Sequence, residues 1–108
     1  MAKVYVIHKA FRWEAGERRV FDYTPAADYG KLVLVFDAHR APGLAQAVPK
    51  LRTVFADFKP EDYLVMSGDT ELVIAASVLA LRTTPALKLL KWNNRNKTYD
   101  VVTLKGIQ

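Results

Sequence analysis

The sequence predicts a small α/β domain: a mixed sheet with a parallel β-α-β-α-β centre, antiparallel hairpins at its edges and two main helices. Two short apolar runs, residues 31–36 and 63–66, are each followed by a polar turn and then by a segment of helical character. Both ends of the chain also carry pairs of strand-like stretches around polar turns. Strand–helix–strand crossovers join parallel strands, whereas short polar turns join antiparallel ones, so the two patterns together call for a mixed sheet. The 108 residues suit one domain, and no linker or low-complexity segment divides them.

Residues 3–13 alternate as a strand, with Val4, Val6, His8 and Ala10 on one face and Tyr5, Ile7, Lys9, Phe11 and Trp13 on the other. Glu14-Ala15-Gly16-Glu17 suits a turn, and residues 18–23 resume as the hairpin partner. Thr24 is a candidate cap, Pro25 suits a first helical position and Gly30 ends that short turn. Leu32-Val33-Leu34-Val35 is continuous and apolar, the pattern of a strand buried on both faces. After a loop at 37–43, Leu44, Val48, Leu51, Phe55 and Phe58 recur at spacings of four and three, a helix with one buried face. Pro49 interrupts it, so either the regular helix begins near Gln46 or it kinks at the proline. Residues 59–62 end this helix and 63–66 form the next buried strand. Ser67-Gly68-Asp69 turns into a second helix, 70–82, whose apolar circumference predicts deep burial. Residues 86–92 and 98–104 then pair around the polar turn Asn93-Asn94-Arg95-Asn96-Lys97.

Composition excludes several classes. Hydrophobic residues make up 51% and charged residues 25%, a globular balance. The longest apolar run, residues 72–81, includes Ser77 and falls well short of the roughly 20 residues a membrane span requires. The absence of cysteine rules out disulfides, thiolate metal sites and a cysteine nucleophile. The first residues show no secretory signal, so a cytoplasmic location is expected, without a membrane partner. The net charge of +5 is uneven: residues 1–53 carry +4, 54–81 carry −4 and 82–108 carry +5. Such basic ends attract polyanions.

Ligands of open α/β sheets bind beyond the carboxyl ends of the parallel strands. Asp37 follows the first apolar run, and Asp69 and Glu71 follow the second. Were those strands neighbours, the three carboxylates would converge on a magnesium or manganese ion, the arrangement for metal-dependent phosphodiester cleavage. Asp37 and Asp69 would be the metal ligands. Ser67-Gly68-Asp69-Thr70-Glu71-Leu72 is similar to the Ser-Gly-Asp-x-Asp-Phe element of NYN-type nucleases of the PIN-like class, with Glu71 in place of the second Asp. The structural alternative makes Asp69 a helix cap and Gly68 a turn residue. No Gly-rich phosphate-loop pattern occurs. A Ser67–His39–Asp37 relay lacks the Gly-x-Ser-x-Gly elbow, and His8 falls within a strand pattern, as a hydrogen-bonded structural residue or a surface one.

Basic and aromatic residues alternate around both hairpin turns. The first holds Arg12, Trp13, Arg18, Arg19 and Phe21; the second holds Lys91, Trp92, Arg95, Lys97 and Tyr99. Cations that track phosphates beside rings that stack on bases are the means of holding single-stranded nucleic acid. The same residues suit a structural role, with Trp92 and Tyr99 as a cross-strand pair. Asp22-Tyr23-Thr24-Pro25-Ala26, Asp28-Tyr29-Gly30, residues 62–69, Leu89-Leu90-Lys91-Trp92 and Lys97-Thr98-Tyr99 together resemble a group of short uncharacterised proteins of tailed bacteriophages. That resemblance implies a viral protein acting in a bacterial cytoplasm and brings no activity. The expectation is a non-enzymatic accessory protein without cofactor. It binds nucleic acid or a nucleic-acid-processing complex through Arg12, Trp13, Arg18, Arg19, Lys91, Trp92, Arg95 and Lys97. The alternatives are the metal-dependent nuclease and a module that self-associates through its last strand.

Overall fold

The computed structural model describes residues 1–9, 11–20, 22–37 and 40–106, with the backbone alone for 11–14 and 18–20. In chain order its elements are β1 (Lys3–His8), β2 (Phe11–Glu14), β3 (Glu17–Val20), a 3-10 helix (Thr24–Tyr29), β4 (Lys31–Phe36), α1 (Leu44–Phe55), β5 (Tyr63–Val65), α2 (Thr70–Ala80), β6 (Ala86–Asn93) and β7 (Thr98–Lys105). Five strands form one sheet in the order β4-β1-β5-β6-β7. The first four are parallel and β7 is antiparallel to β6, so the mixed α/β class holds.

The expected strand over residues 3–13 is two strands. β1 ends at His8, and β2 pairs with β3 in a separate two-stranded sheet, so the second hairpin alone edges the main sheet. The turn between β2 and β3 carries positive φ at both Ala15 (+51°) and Gly16 (+78°), the combination that matches a tight turn to strand twist. Ala10, Phe21 and His39, assigned above to a strand face, the first hairpin and a relay, lie outside the described residues.

Burial inverts the expectation for β1 and β4. β1 is central, and Val4 through His8 are all buried. β4, the more uniformly apolar strand, is an edge, with Leu32 exposed. The alternation in Val4-Tyr5-Val6-Ile7 is one of size among apolar residues, so both faces of β1 can be covered. On one face Tyr5, Ile7, Leu64, Leu87 and Leu89 pack with Leu51 and Phe55 of α1 and Leu72, Ala76 and Ala80 of α2. The Tyr5 ring lies 5.2 Å from Phe55 and 5.5 Å from Phe58. On the other face Val4, Val6, Val65, Leu90 and Tyr99 pack with Tyr23 and with Ala26 of the 3-10 helix. Each buried Val, Leu, Ile or Phe among them stabilises by roughly 1.5–3 kcal/mol.

The helices depart from expectation in detail. α1 begins at Leu44, which is exposed, and Pro49 lies inside the helix. Its buried stripe is Ala47, Leu51 and Phe55. α2 is not apolar in order to be engulfed, since Ile74 and Val78 are 58% and 54% exposed. Tyr23, not Thr24, occupies the N-cap of the 3-10 helix, and Asp22 Oδ1 accepts the Thr24 N–H at 2.9 Å. Before β5, buried Asp62 accepts the Lys3 N–H on Oδ1 and the Lys59 N–H on Oδ2, both at 2.9 Å, which ties β1 to the end of the α1 connection.

Candidate functional site

β1, β4, β5 and β6 all end on the same edge of the sheet, and both basic hairpins leave from it. β2 begins three residues after β1 ends, and the turn at 94–97 follows β6. The chain passes from β1 to β4 across the 3-10 face, then steps back over β1 to β5 through α1 on the opposite face. This reversal makes the junction of β1 and β5 the topological switch point, where loops diverge and open α/β sheets bind their ligands.

This edge carries a row of side chains. β5 pairs with β1 at Val4–Tyr63 and Tyr5–Leu64 and with β6 as far as Val65–Leu90, after which the chain turns, the Ser67 N–H donating to the Val65 carbonyl at 3.0 Å. Trp92 pairs directly with Tyr99, and both pack in one cluster with Tyr23, which reaches Ser67 through its hydroxyl. The row therefore comprises Ser67, Tyr23, Tyr99 and Trp92, on the face where the 3-10 helix packs. Gly68 closes the β1–β5 junction. Its φ is +109°, and a Cβ there would stand 3.2 Å from the His8 carbonyl oxygen, so a side chain is opposed both by conformation and by space.

Hydroxyls dominate the row. Tyr23 and Ser67 share a hydrogen bond at 2.7 Å. Tyr99 is 6% exposed, and its ring meets Trp92 edge-on at 5.0 Å between centroids, the cross-strand pair that its sequence position suits. Its carbonyl accepts the Tyr29 hydroxyl at 3.1 Å. The Tyr99 hydroxyl itself is buried without a hydrogen-bond partner among the described residues. Burial pushes it up to about 12, with the neighbouring Tyr23 and Asp22 adding to the shift. Asp22 in turn is held below the ordinary carboxylate range by hydrogen bonds from Thr24.

The basic residues lie in the two hairpins that leave this edge. In the first hairpin Arg12 is paired with Arg19 and Trp13 with Arg18. In the second, Asn93 Oδ1 accepts the N–H groups of Arg95 (3.0 Å) and Asn96 (3.1 Å), which fixes the turn and leaves Arg95 exposed. Lys97, at φ +56°, donates from Nζ to Asn94 Oδ1 at 2.7 Å. Lys91 is exposed and stands opposite Asp100, so its charge is partly countered.

The carboxylates lie on either side of β1. Asp37 follows β4, whereas Asp69 and Glu71 begin α2 after β5, and β1 separates the two strands. The convergence of Asp37, Asp69 and Glu71 required β4 and β5 to be neighbours; their strand axes lie about 10 Å apart instead. Among the described residues no three His, Cys, Asp or Glu side chains gather closely enough to hold an ion. Asp69 takes the N-cap position of α2 by backbone conformation, without a side-chain capping bond. No helix among the described residues is long and apolar enough to cross a membrane.

Fold and edge define a small mixed α/β domain whose rim, at the carboxyl ends of its parallel strands, carries two basic hairpins and a hydroxyl-rich row. Over residues 2–106 the chain matches the model of the phage Pam3 gp32-like protein family, and it belongs to that family. The phage resemblance legible in the sequence is thereby borne out. No curated protein and no solved structure matches the chain.

Proposed function

We propose that this phage protein is a non-enzymatic accessory domain that binds single-stranded nucleic acid along the carboxyl edge of its sheet. The observation that supports this reading most is that both basic hairpins leave that one edge, from β1 and β6, with only β5 between them. Two strands at the usual spacing separate the hairpins by about 10 Å, within the span of a short oligonucleotide. The signs of charge along the edge give the strand a path. Asp37, Asp69 and Glu71 repel phosphates from the ends of β4 and β5, whereas Arg12, Arg18, Arg19, Arg95 and Lys97 attract them to the hairpins. The sugar–phosphate chain then follows the hairpins, and the bases turn toward the aromatic row.

Fluorescence anisotropy of a labelled single-stranded oligonucleotide at several salt concentrations tests the reading. Binding must weaken linearly in a log–log plot against salt, because each neutralised phosphate of a single strand contributes about −0.7 to the slope. Arg95→Ala, at an exposed turn position, is expected to lower that slope by about 0.7. Absence of binding at low salt, or a slope that Arg95→Ala leaves unchanged, overturns the assignment.

A further inference from the structure

We propose that two copies of this chain pair along β7, antiparallel across a two-fold axis at Val102, and so join their two five-stranded sheets into one. The contact uses the side of β7 and not the strand ends, so it stands independently of the nucleic-acid reading.

Among the described residues β7 is strand-paired with β6 alone, so it presents outward a row of backbone N–H and C=O groups. Tyr29 engages the start of the strand, donating its hydroxyl to the Tyr99 carbonyl at 3.1 Å. The usual guards of an edge are scarce further along. β7 has eight residues, contains no proline and carries its one lysine at the last position, Lys105. At its middle Val101 and Val102 are 46% and 36% exposed, and they lie on opposite faces of the sheet. β4, the other edge, is shorter and exposes Leu32 near its start. A head-to-tail contact between unlike edges leaves a free edge on every added copy and grows into a fibre, whereas a two-fold contact closes after two copies.

The sequence of β7 selects the register. An axis perpendicular to the sheet keeps equivalent faces together, so it passes through one residue and its own counterpart. Centred on Asp100, the pairing sets two carboxylates face to face; centred on Val101, it sets Lys105 opposite Lys97. Like charges so placed are destabilising. Centred on Thr103, it engages residues 101–105 of the strand. Centred on Val102, it engages residues 99–105 with no like charges opposed: Val102 meets its counterpart, Val101 meets Thr103, Asp100 meets Leu104 and Tyr99 meets Lys105. Asp100 keeps its partners within its own sheet, Lys91 opposite it and Asn93 Nδ2 donating at 3.2 Å. Eight residues a side fall well below the roughly 20–30 of a standard interface, so the dimer forms reversibly and depends on concentration. Each copy carries +5. Salt screens that repulsion and strengthens the pairing, the reverse of its effect on nucleic-acid binding.

Sedimentation equilibrium of the full chain up to about 1 mM reveals dissociation constants of that order. The mass is expected to rise from 12.2 kDa toward twice that value, further at higher salt, and Val102→Lys is expected to hold it at the monomer value with a cooperative thermal transition retained. The chain has no cysteine, so Val102→Cys and Val101→Cys each carry one thiol for copper-catalysed air oxidation, a test of the same contact without added charge. Opposed residues of an antiparallel pair have Cα atoms about 4.5–5.5 Å apart, which a disulfide can bridge. Position 101 lies about 8 Å from its counterpart, one strand across and two residues along, beyond that reach. Val102→Cys is therefore expected to yield a covalent dimer and Val101→Cys is not, although Val101 is the more exposed of the two. A mass fixed at 12.2 kDa throughout overturns the proposal, and so does one that climbs past two copies. A dimer that Val102→Lys leaves intact, or that cross-links faster through position 101, uses another surface or register and overturns it as well. The oligonucleotide titrations test the nucleic-acid reading separately, so either reading can fail alone.

Discussion

Replacing Gly68 by alanine sets two effects of opposite sign against each other at the β1–β5 junction. Alanine restricts the unfolded chain and on that ground stabilises by about 0.4–1 kcal/mol. In the folded chain the residue sits at φ +109°, and the new Cβ would stand 3.2 Å from the His8 carbonyl oxygen and 3.6 Å from its nitrogen. Holding a side chain in so sparsely populated a region costs about 1–3 kcal/mol. The carbonyl cannot easily give way, because it belongs to the backbone of a central, buried strand. The folded-state cost prevails, and Gly68→Ala is expected to destabilise by about 1–2 kcal/mol after the unfolded-state gain is deducted. For a domain of this size that lowers the melting temperature by about 4–9 °C. Urea unfolding followed by circular dichroism measures it, with a lower midpoint at unchanged slope as the expected signature. An unchanged or raised midpoint would refute the close packing of Gly68 against the His8 backbone.

Three further outcomes follow from the same structure. Asp62→Ala strips acceptors from the backbone N–H groups of Lys3 and Lys59 and is expected to cost about 1–3 kcal/mol in the same assay; an effect below about 0.5 kcal/mol would contradict the clamp. Because burial raises Tyr99 to about 12 from its ordinary 10.0, its contribution is complete below about pH 10 and is lost as pH rises toward 12. Urea midpoints across that window are expected to fall less steeply for Tyr99→Phe than for the parent. Finally, Leu72→Ala on the buried side of α2 is expected to cost about 2–5 kcal/mol. Ile74→Ala, on its exposed side, is expected to stay within about 0.5 kcal/mol, and chemical denaturation of both variants separates the two faces.

The order of strands and helices was legible because turn chemistry and helical spacing punctuate this chain clearly, from Glu14-Ala15-Gly16-Glu17 to the asparagine-rich turn at residues 93–97. Depth of burial was not. Leu32-Val33-Leu34-Val35 carries the pattern of a central strand and lies at the edge, because a continuous apolar run is compatible with either place and the pairing partners decide. In α2, Ile74 and Val78 raise the apolar content without facing the core, so circumference overstated burial. Trp92 and Tyr99 were legible as a cross-strand pair from their positions around the turn. The row that joins them to Tyr23 and Ser67 was not, because it exists only through the packing of distant segments, which no local pattern encodes. The hydrogen bond between Tyr23 and Ser67, 44 residues apart, was out of reach for the same reason. Asp37 and Asp69 were correctly read as strand-end residues, but their separation by β1 is again a matter of strand order.

The most direct test of the carboxyl-edge interface is backbone amide chemical-shift mapping while a short single-stranded oligonucleotide is added to the intact protein. The expected result is that perturbed amides cluster in residues 8–23, 67–69 and 92–99, and that raising the salt concentration reverses the changes. Shifts confined to the opposite edge, around residues 57–62 and 82–86, or no shifts at low salt, would contradict it.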